Sequence, residues 1–165
     1  MLAIGVRGNP RRLNLVGEVP GRVFYNLIEP EEFAGRKILV VGGGNAGAEI
    51  VQALAAPRLG NIVSYSFRST VLTNVTPENA DAIVALQKAR TITSYPATTL
   101  LEIRSTTVLL GPINPAAGQA NAGPASQASI EIDNDCIFAM IGAELPTAFL
   151  RSIGIKMVDK GRLYG

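Results

Sequence analysis

The most regular pattern of apolar and polar positions begins at Lys37. Ile38 to Val41 is an unbroken aliphatic run, which predicts a strand buried on both faces, as in a parallel sheet. Beyond three glycines, Ala46, Ile50, Val51, Leu54 and Ala55 recur at helical spacing and form one apolar face that ends near Pro57. Asn45 stands where an N-cap would. Asn61 to Phe67 predicts a second strand. Pro77 opens a second helix carrying Ala82, Ile83, Leu86 and Ala89 at helical spacing, and Thr91 to Tyr95 predicts a third strand. This strand–helix alternation implies a parallel sheet with right-handed crossovers.

After Tyr95 the alternation stops. Thr98 to Arg104, Ser105 to Leu110 and Ala128 to Ile132 predict strands with no helix between them, hence an antiparallel β-meander. Gly111 to Gln127 has no periodicity and reads as a long mobile hairpin loop. Cys136 to Ile141 is apolar throughout and predicts a closing strand that ends at Gly142; the tail adds a short helix around Thr147 to Ser152. At the other end, Leu2 to Gly5 reads as the end of a strand, followed by Gly8, Pro10, Gly17, Pro20 and Gly21 as punctuation. Val23 to Tyr25 is a short extended piece with no strand partner close by in the sequence. The fold class that follows is α/β, a parallel sheet with an antiparallel β-meander.

Composition narrows the chemistry. A chain of 165 residues, 47% hydrophobic and 17% charged, is long and apolar enough for one domain with a real core. Its net charge of +2 comes from scattered basic residues, so no basic stripe points to nucleic acid. A single cysteine excludes an internal disulfide and fits a reducing, cytoplasmic compartment. With no histidine, triads and metal sites built on imidazole are excluded, and no metal site is expected. No apolar run is long enough to span a bilayer, and the first residues are too short a run for a signal peptide.

The candidate chemistry lies in Lys37-Ile-Leu-Val-Val-Gly-Gly-Gly-Asn-Ala-Gly-Ala-Glu-Ile-Val51. Gly42-x-Gly44-x-x-Gly47 follows a predicted strand and opens a predicted helix, which is the context of a dinucleotide-binding turn. Gly42 permits the tight turn, Gly44 the close approach of a diphosphate, and Gly47 close packing of helix on strand. Gly42, Gly43, Gly44, Asn45, Ala46 and Gly47 are therefore candidate contacts, with backbone N–H groups of the helix start facing the anion. Asn45 donates to the diphosphate or caps the helix, roles that are compatible. Glu49, one turn on, would repel a diphosphate and reads as a structural group. The second predicted strand ends Ser64-Tyr-Ser-Phe-Arg68-Ser69-Thr70, with no acid for a ribose 2′-hydroxyl. Arg68 can instead pair with two oxygens of a 2′-phosphate, favouring NADPH, with NADH the alternative. Cys136, inside an apolar run, reads as an inert core thiol.

Three stretches together carry a family resemblance. They are Leu2-Ala-Ile-Gly5 with Pro10 and Gly17-Glu18-Val19-Pro20; Val40-Val-Gly-Gly-Gly-Asn-Ala-Gly-Ala-Glu49, close to a Gly-Gly-Gly-Asn-Ser-Ala-x-Glu fingerprint; and Phe138-Ala-Met-Ile-Gly142 with Pro146-Thr147. The chain resembles the NAD(P)H-binding domain of the FAD-dependent pyridine nucleotide-disulfide oxidoreductases, in the thioredoxin-reductase-like branch that includes bacillithiol disulfide reductases. The resemblance implies a Rossmann-like three-layer FAD/NAD(P)-binding domain. It implies residues 1–35 as an incoming segment from a missing FAD domain, 36–150 as the NAD(P)-binding domain, and 151–165 as the outgoing segment. FAD would then belong only to the full-length parent, whose FAD-binding domain is the partner. No side chain is expected to be catalytic, and the isolated chain is not expected to turn over. Gly142 would lie near the nicotinamide. Two departures stand out: Cys-x-x-Cys is missing, and Ser69 replaces the second residue of an Arg-Arg pair that begins at Arg68. A non-catalytic dinucleotide-sensing module, or a structural domain that no longer binds, fits the same residues.

Overall fold

The computed structural model describes residues 9–113 and 129–144. Its strands are β1 (Asn9–Pro10), β2 (Val23–Phe24), β3 (Lys37–Val41), β4 (Ile62–Phe67), β5 (Ile92–Pro96), β6 (Thr98–Ile103), β7 (Thr107–Pro112), β8 (Ile130–Asp133), β9 (Cys136–Ala139) and β10 (Ala143–Glu144). Helix α1 (Asn45–Leu54) follows β3 and α2 (Pro77–Lys88) follows β4. The chain divides into two compact units, Arg12–Ile141 and a smaller one formed by the two ends. Of the smaller unit, the described part is an antiparallel pairing of β1 with β10, where the Arg11 N–H donates to the Gly142 carbonyl at 3.0 Å. The expected strand at Leu2 to Gly5 and the expected helix at Thr147 to Ser152 lie outside the described residues, as does most of the Gly111–Gln127 loop.

Within Arg12–Ile141 the apolar runs build a five-stranded parallel sheet in the order β2-β9-β3-β4-β5. Both faces of β3 are covered, which is why its sequence shows no alternation. Ile38 and Val40 pack with Val51, Leu54, Tyr65 and Phe138 on the helix side. Leu39 and Val41 pack with Leu100, Val108, Leu110 and Ile137 on the other side. There the antiparallel sheet β6-β7-β8 supplies the third layer. Helices, parallel sheet and meander are the three layers of a Rossmann-like fold, as the family resemblance implies.

The expected extended piece at Val23 finds its partner far along the chain. β2 pairs with β9 through Val23↔Ile137 and Phe24↔Phe138, and Phe24, Phe33 and Phe138 form an aromatic cluster with centroids 4.9–5.4 Å apart. Arg22 fastens this edge from below: its guanidinium donates to the carbonyls of Ser105 (2.7 Å), Thr107 (3.3 Å) and Asn134 (3.3 Å). The segment before it holds its shape without regular structure. The Tyr25 hydroxyl donates to Glu18 and accepts the Leu13 N–H at 2.9 Å, with Arg12 lying 4.6 Å over the ring.

Several strand boundaries shift by one or two residues from the pattern-based expectation. β9 ends at Ala139 rather than Ile141. Gly111 and Pro112 belong to β7 rather than to the loop, because they continue the ladder opposite Thr99 and Thr98. The step from the parallel sheet into the meander is made at Ala97, which adopts φ +53° and donates its N–H to the Ser69 carbonyl at 3.0 Å.

Candidate functional site

The chain leaves β3 through Gly42, whose N–H donates to the Ser66 carbonyl at 2.9 Å. Gly42 has φ +130°, and a Cβ there would lie 2.1 Å from the Met140 carbonyl oxygen. At Gly47 a Cβ would lie 2.1 Å from the Gly42 carbonyl oxygen, so α1 reaches the strand only because both residues are glycine. Gly43 is tight as well, its Cβ position 3.0 Å from Phe67 Cβ. Gly44 is different. Its backbone is extended, at φ −103° and ψ 179°, and the nearest atom to a Cβ would be the Asn74 oxygen at 4.0 Å. Nothing among the described residues requires a glycine at that position.

The N-cap of α1 is Gly44, not Asn45, and no side chain among the described residues caps the helix. Asn45 is the first helical residue, one place too late to fold back on its own helix. Its Oδ1 instead accepts the Thr76 N–H at 2.7 Å and an Asn79 amide proton at 3.1 Å. The first N–H groups of α1, which have no intrahelical acceptor, are thus left without a capping side chain and suit an anion. Ala46 is exposed beside them, and Glu49 is exposed with Asn79 Nδ2 3.5 Å away.

Arg68 follows Phe67 directly, so it leaves β4 beside Gly43. It is exposed, and the ion pairs among the described residues are made by Lys37, Arg58 and Arg104, not by Arg68. Ser69 is half-buried. From there the chain passes along the glycine turn: Leu72 Cδ2 lies 3.6 Å from the Gly43 Cβ position, Asn74 forms a single parallel bridge with Gly44, and Thr76 meets Asn45. The Arg68–Thr76 segment is thereby a wall of the turn. Its residues Leu72, Asn74 and Thr76, and Asn79 beyond them, escape the sequence reading because their contacts are tertiary. Only Thr76-Pro77, a capping residue before a proline, is a local signal, and the Thr76 hydroxyl does accept the Asn79 N–H at 3.4 Å. Gly42 to Gly47, Arg68 and Ser69 all belong to Arg12–Ile141, whereas Gly142, at φ +96°, belongs to the smaller unit.

Two titratable groups are buried in the parallel sheet, Tyr65 beside the glycine turn and Cys136 at the opposite end. Tyr65 is fully buried, its hydroxyl has no partner among the described residues, and it stands 3.4 Å from the Gly47 Cβ position. Burial pushes its pKa up to about 12. Cys136 is fully buried at the start of β9, the end of the strand away from the glycine turn, and burial pushes its thiol up to about 11. Both stay protonated near neutral pH. Among the described residues no helix is long and apolar enough to cross a membrane.

Known proteins share parts of this chain. Over 55 residues it is 42% identical to a ferredoxin--NADP reductase of Ignicoccus hospitalis, a match covering 33% of this chain and 18% of that protein. Its fold is shared with bacillithiol disulfide reductase from Bacillus cereus, at TM-score 0.76 and 22% identity, over 92% of this chain and 43% of that one. Thioredoxin reductase of T. acidophilum is similar at TM-score 0.71 and 19% identity, over 92% of this chain and 47% of that one. The chain therefore spans less than half the length of these solved structures. The family model for pyridine nucleotide-disulphide oxidoreductases matches residues 1–164, and the chain belongs to that family, whose members work with flavin and pyridine nucleotide cofactors.

Proposed function

We propose that this chain is the NAD(P)H-binding part of a flavin-dependent oxidoreductase, holding the reduced nicotinamide nucleotide for hydride transfer to FAD carried on a domain outside these residues. The residues fit the nucleotide. Gly44 leaves room for a diphosphate against the backbone, the uncapped N–H groups of α1 supply donors, and the helix dipole adds favourable potential. The orientation of Asn45 adds a further donor. Because a backbone N–H must donate to oxygen, the Thr76 contact fixes Oδ1 inward and leaves Nδ2 for a ligand oxygen.

Arg68 carries the choice of nucleotide. In this fold the residue ending the strand next to the glycine turn meets the adenosine ribose, where an acid binds a 2′-hydroxyl and an arginine a 2′-phosphate. Arg68, the first residue beyond β4, is exposed and outside the ion pairs of the described residues, which supports that role for it. FAD has no 2′-phosphate for it, whereas NADPH does. The nicotinamide supplies the hydride, and the chain's own residues supply position and electrostatics rather than a proton. Titration calorimetry of Arg68→Ala tests this reading. NADPH affinity falls by about tenfold or more while NADH changes by less than about twofold; equal losses for both nucleotides remove Arg68 from the 2′ position.

A further inference from the structure

The turn and the segment after β4 meet residue by residue: Gly43 with Leu72, Gly44 with Asn74, Asn45 with Thr76. The last contact is the only one made by a side-chain hydrogen bond, and it is doubled by Asn79, whose own Oδ1 accepts from Gln52 Nε2 at 2.8 Å. Asn45 is therefore the joint between the start of α1 and the start of α2. The Arg68–Thr76 segment is held at one end by β4 and at the other by this joint. Between them it presents exposed Val71, Thr73 and Asn74, with Leu72 and Val75 half-buried against the helix-side core.

Resting on the reading that the turn takes NAD(P)H, we propose that Asn45 is a positioning residue for nucleotide discrimination. Its Oδ1 keeps the Arg68–Thr76 segment at a fixed distance from the diphosphate seat, so that Arg68 meets a 2′-phosphate only while that joint is closed. Two jobs then reside on one carboxamide. The oxygen sets selectivity through Thr76 and Asn79, and the NH2 donates to a diphosphate common to both nucleotides. Substitution separates them. Asn45→Ala removes both, whereas Asn45→Asp keeps an acceptor for Thr76 and Asn79 but loses the donor and adds an anion.

The test combines amide hydrogen exchange with calorimetry on the full 165-residue chain. In Asn45→Ala the amides of residues 72–80 exchange about tenfold faster or more, and the NADPH-over-NADH preference falls by about fivefold or more. In Asn45→Asp those amides keep their protection, and both affinities fall in parallel with the preference unchanged. In an Arg68→Ala background, Asn45→Ala no longer alters the preference, because the group it positions is gone. An unchanged preference in Asn45→Ala, or an equal effect with and without Arg68, overturns the proposal while the nucleotide reading stands. Binding of neither nucleotide by the unsubstituted chain overturns both.

Discussion

Gly44 and Gly47 stand three residues apart in one motif and answer to different constraints. Gly47 is required by the fold, since a Cβ would press on the Gly42 carbonyl, part of the backbone and unable to swing aside. Gly47→Ala is expected to lower unfolding free energy by about 1–3 kcal/mol in urea denaturation. Gly44 has an ordinary backbone and open space, so Gly44→Ala should leave stability within about 0.5 kcal/mol. It should nevertheless weaken NADPH by about tenfold or more, because the added methyl fills the diphosphate's approach. NADPH binding by Gly44→Ala at unchanged affinity would show that no anion comes close there. The motif was legible in the sequence at this scale. The partner of Asn45 was not, because nothing in Thr76 or Asn79 marks them as neighbours of a residue so far back in the chain.

Burial also sets a pH dependence at single residues. Tyr65 rises from 10.0 to about 12 and Cys136 from 9.0 to about 11 on folding, both through desolvation. Each acid thus keeps its proton in the folded chain at pH values where the unfolded chain has lost it. Unfolding free energy is unaffected by these groups below about pH 9 and falls as pH rises through the window to about 12. Denaturation followed across that window should show the slope flatten in Tyr65→Phe, which removes the buried hydroxyl, and in Cys136→Ala. An unchanged slope in both would mean that neither group is buried as described.

At the scale of elements, continuous apolar runs were readable and pairings at long range were not. β3 and β9 announce burial on both faces by their composition, and the break in alternation after Tyr95 announces the meander. β2 is two residues long, and its partner lies more than a hundred residues away, so no window of sequence contains the pair. What secures that edge is Arg22, which serves the carbonyls of Ser105, Thr107 at the start of β7, and Asn134 before β9, at the end of the sheet away from the glycine turn. Arg22→Ala should lower stability by about 1–3 kcal/mol by leaving those carbonyls without a charged donor. NADPH affinity of the folded variant should be unchanged in calorimetry; a parallel loss of affinity would mean that the far edge of the sheet shapes the nucleotide site.

At the scale of the molecule, the three layers place on one rim of Arg12–Ile141 a glycine turn, a helix start and an exposed arginine, the last two without a capping side chain or an ion pair among the described residues. On the proposed reading the absence of histidine, which excluded so much at the outset, costs nothing, because holding a hydride donor requires position and charge rather than proton transfer. The family was readable from three separated stretches in the right order. In the proposed function, the choice of nucleotide rests on one residue, Arg68. Calorimetric titration of the unsubstituted chain with NADPH and, separately, NADH tests the account most directly. The account predicts saturable binding of both, tighter for NADPH; no binding of either at millimolar concentration would contradict it.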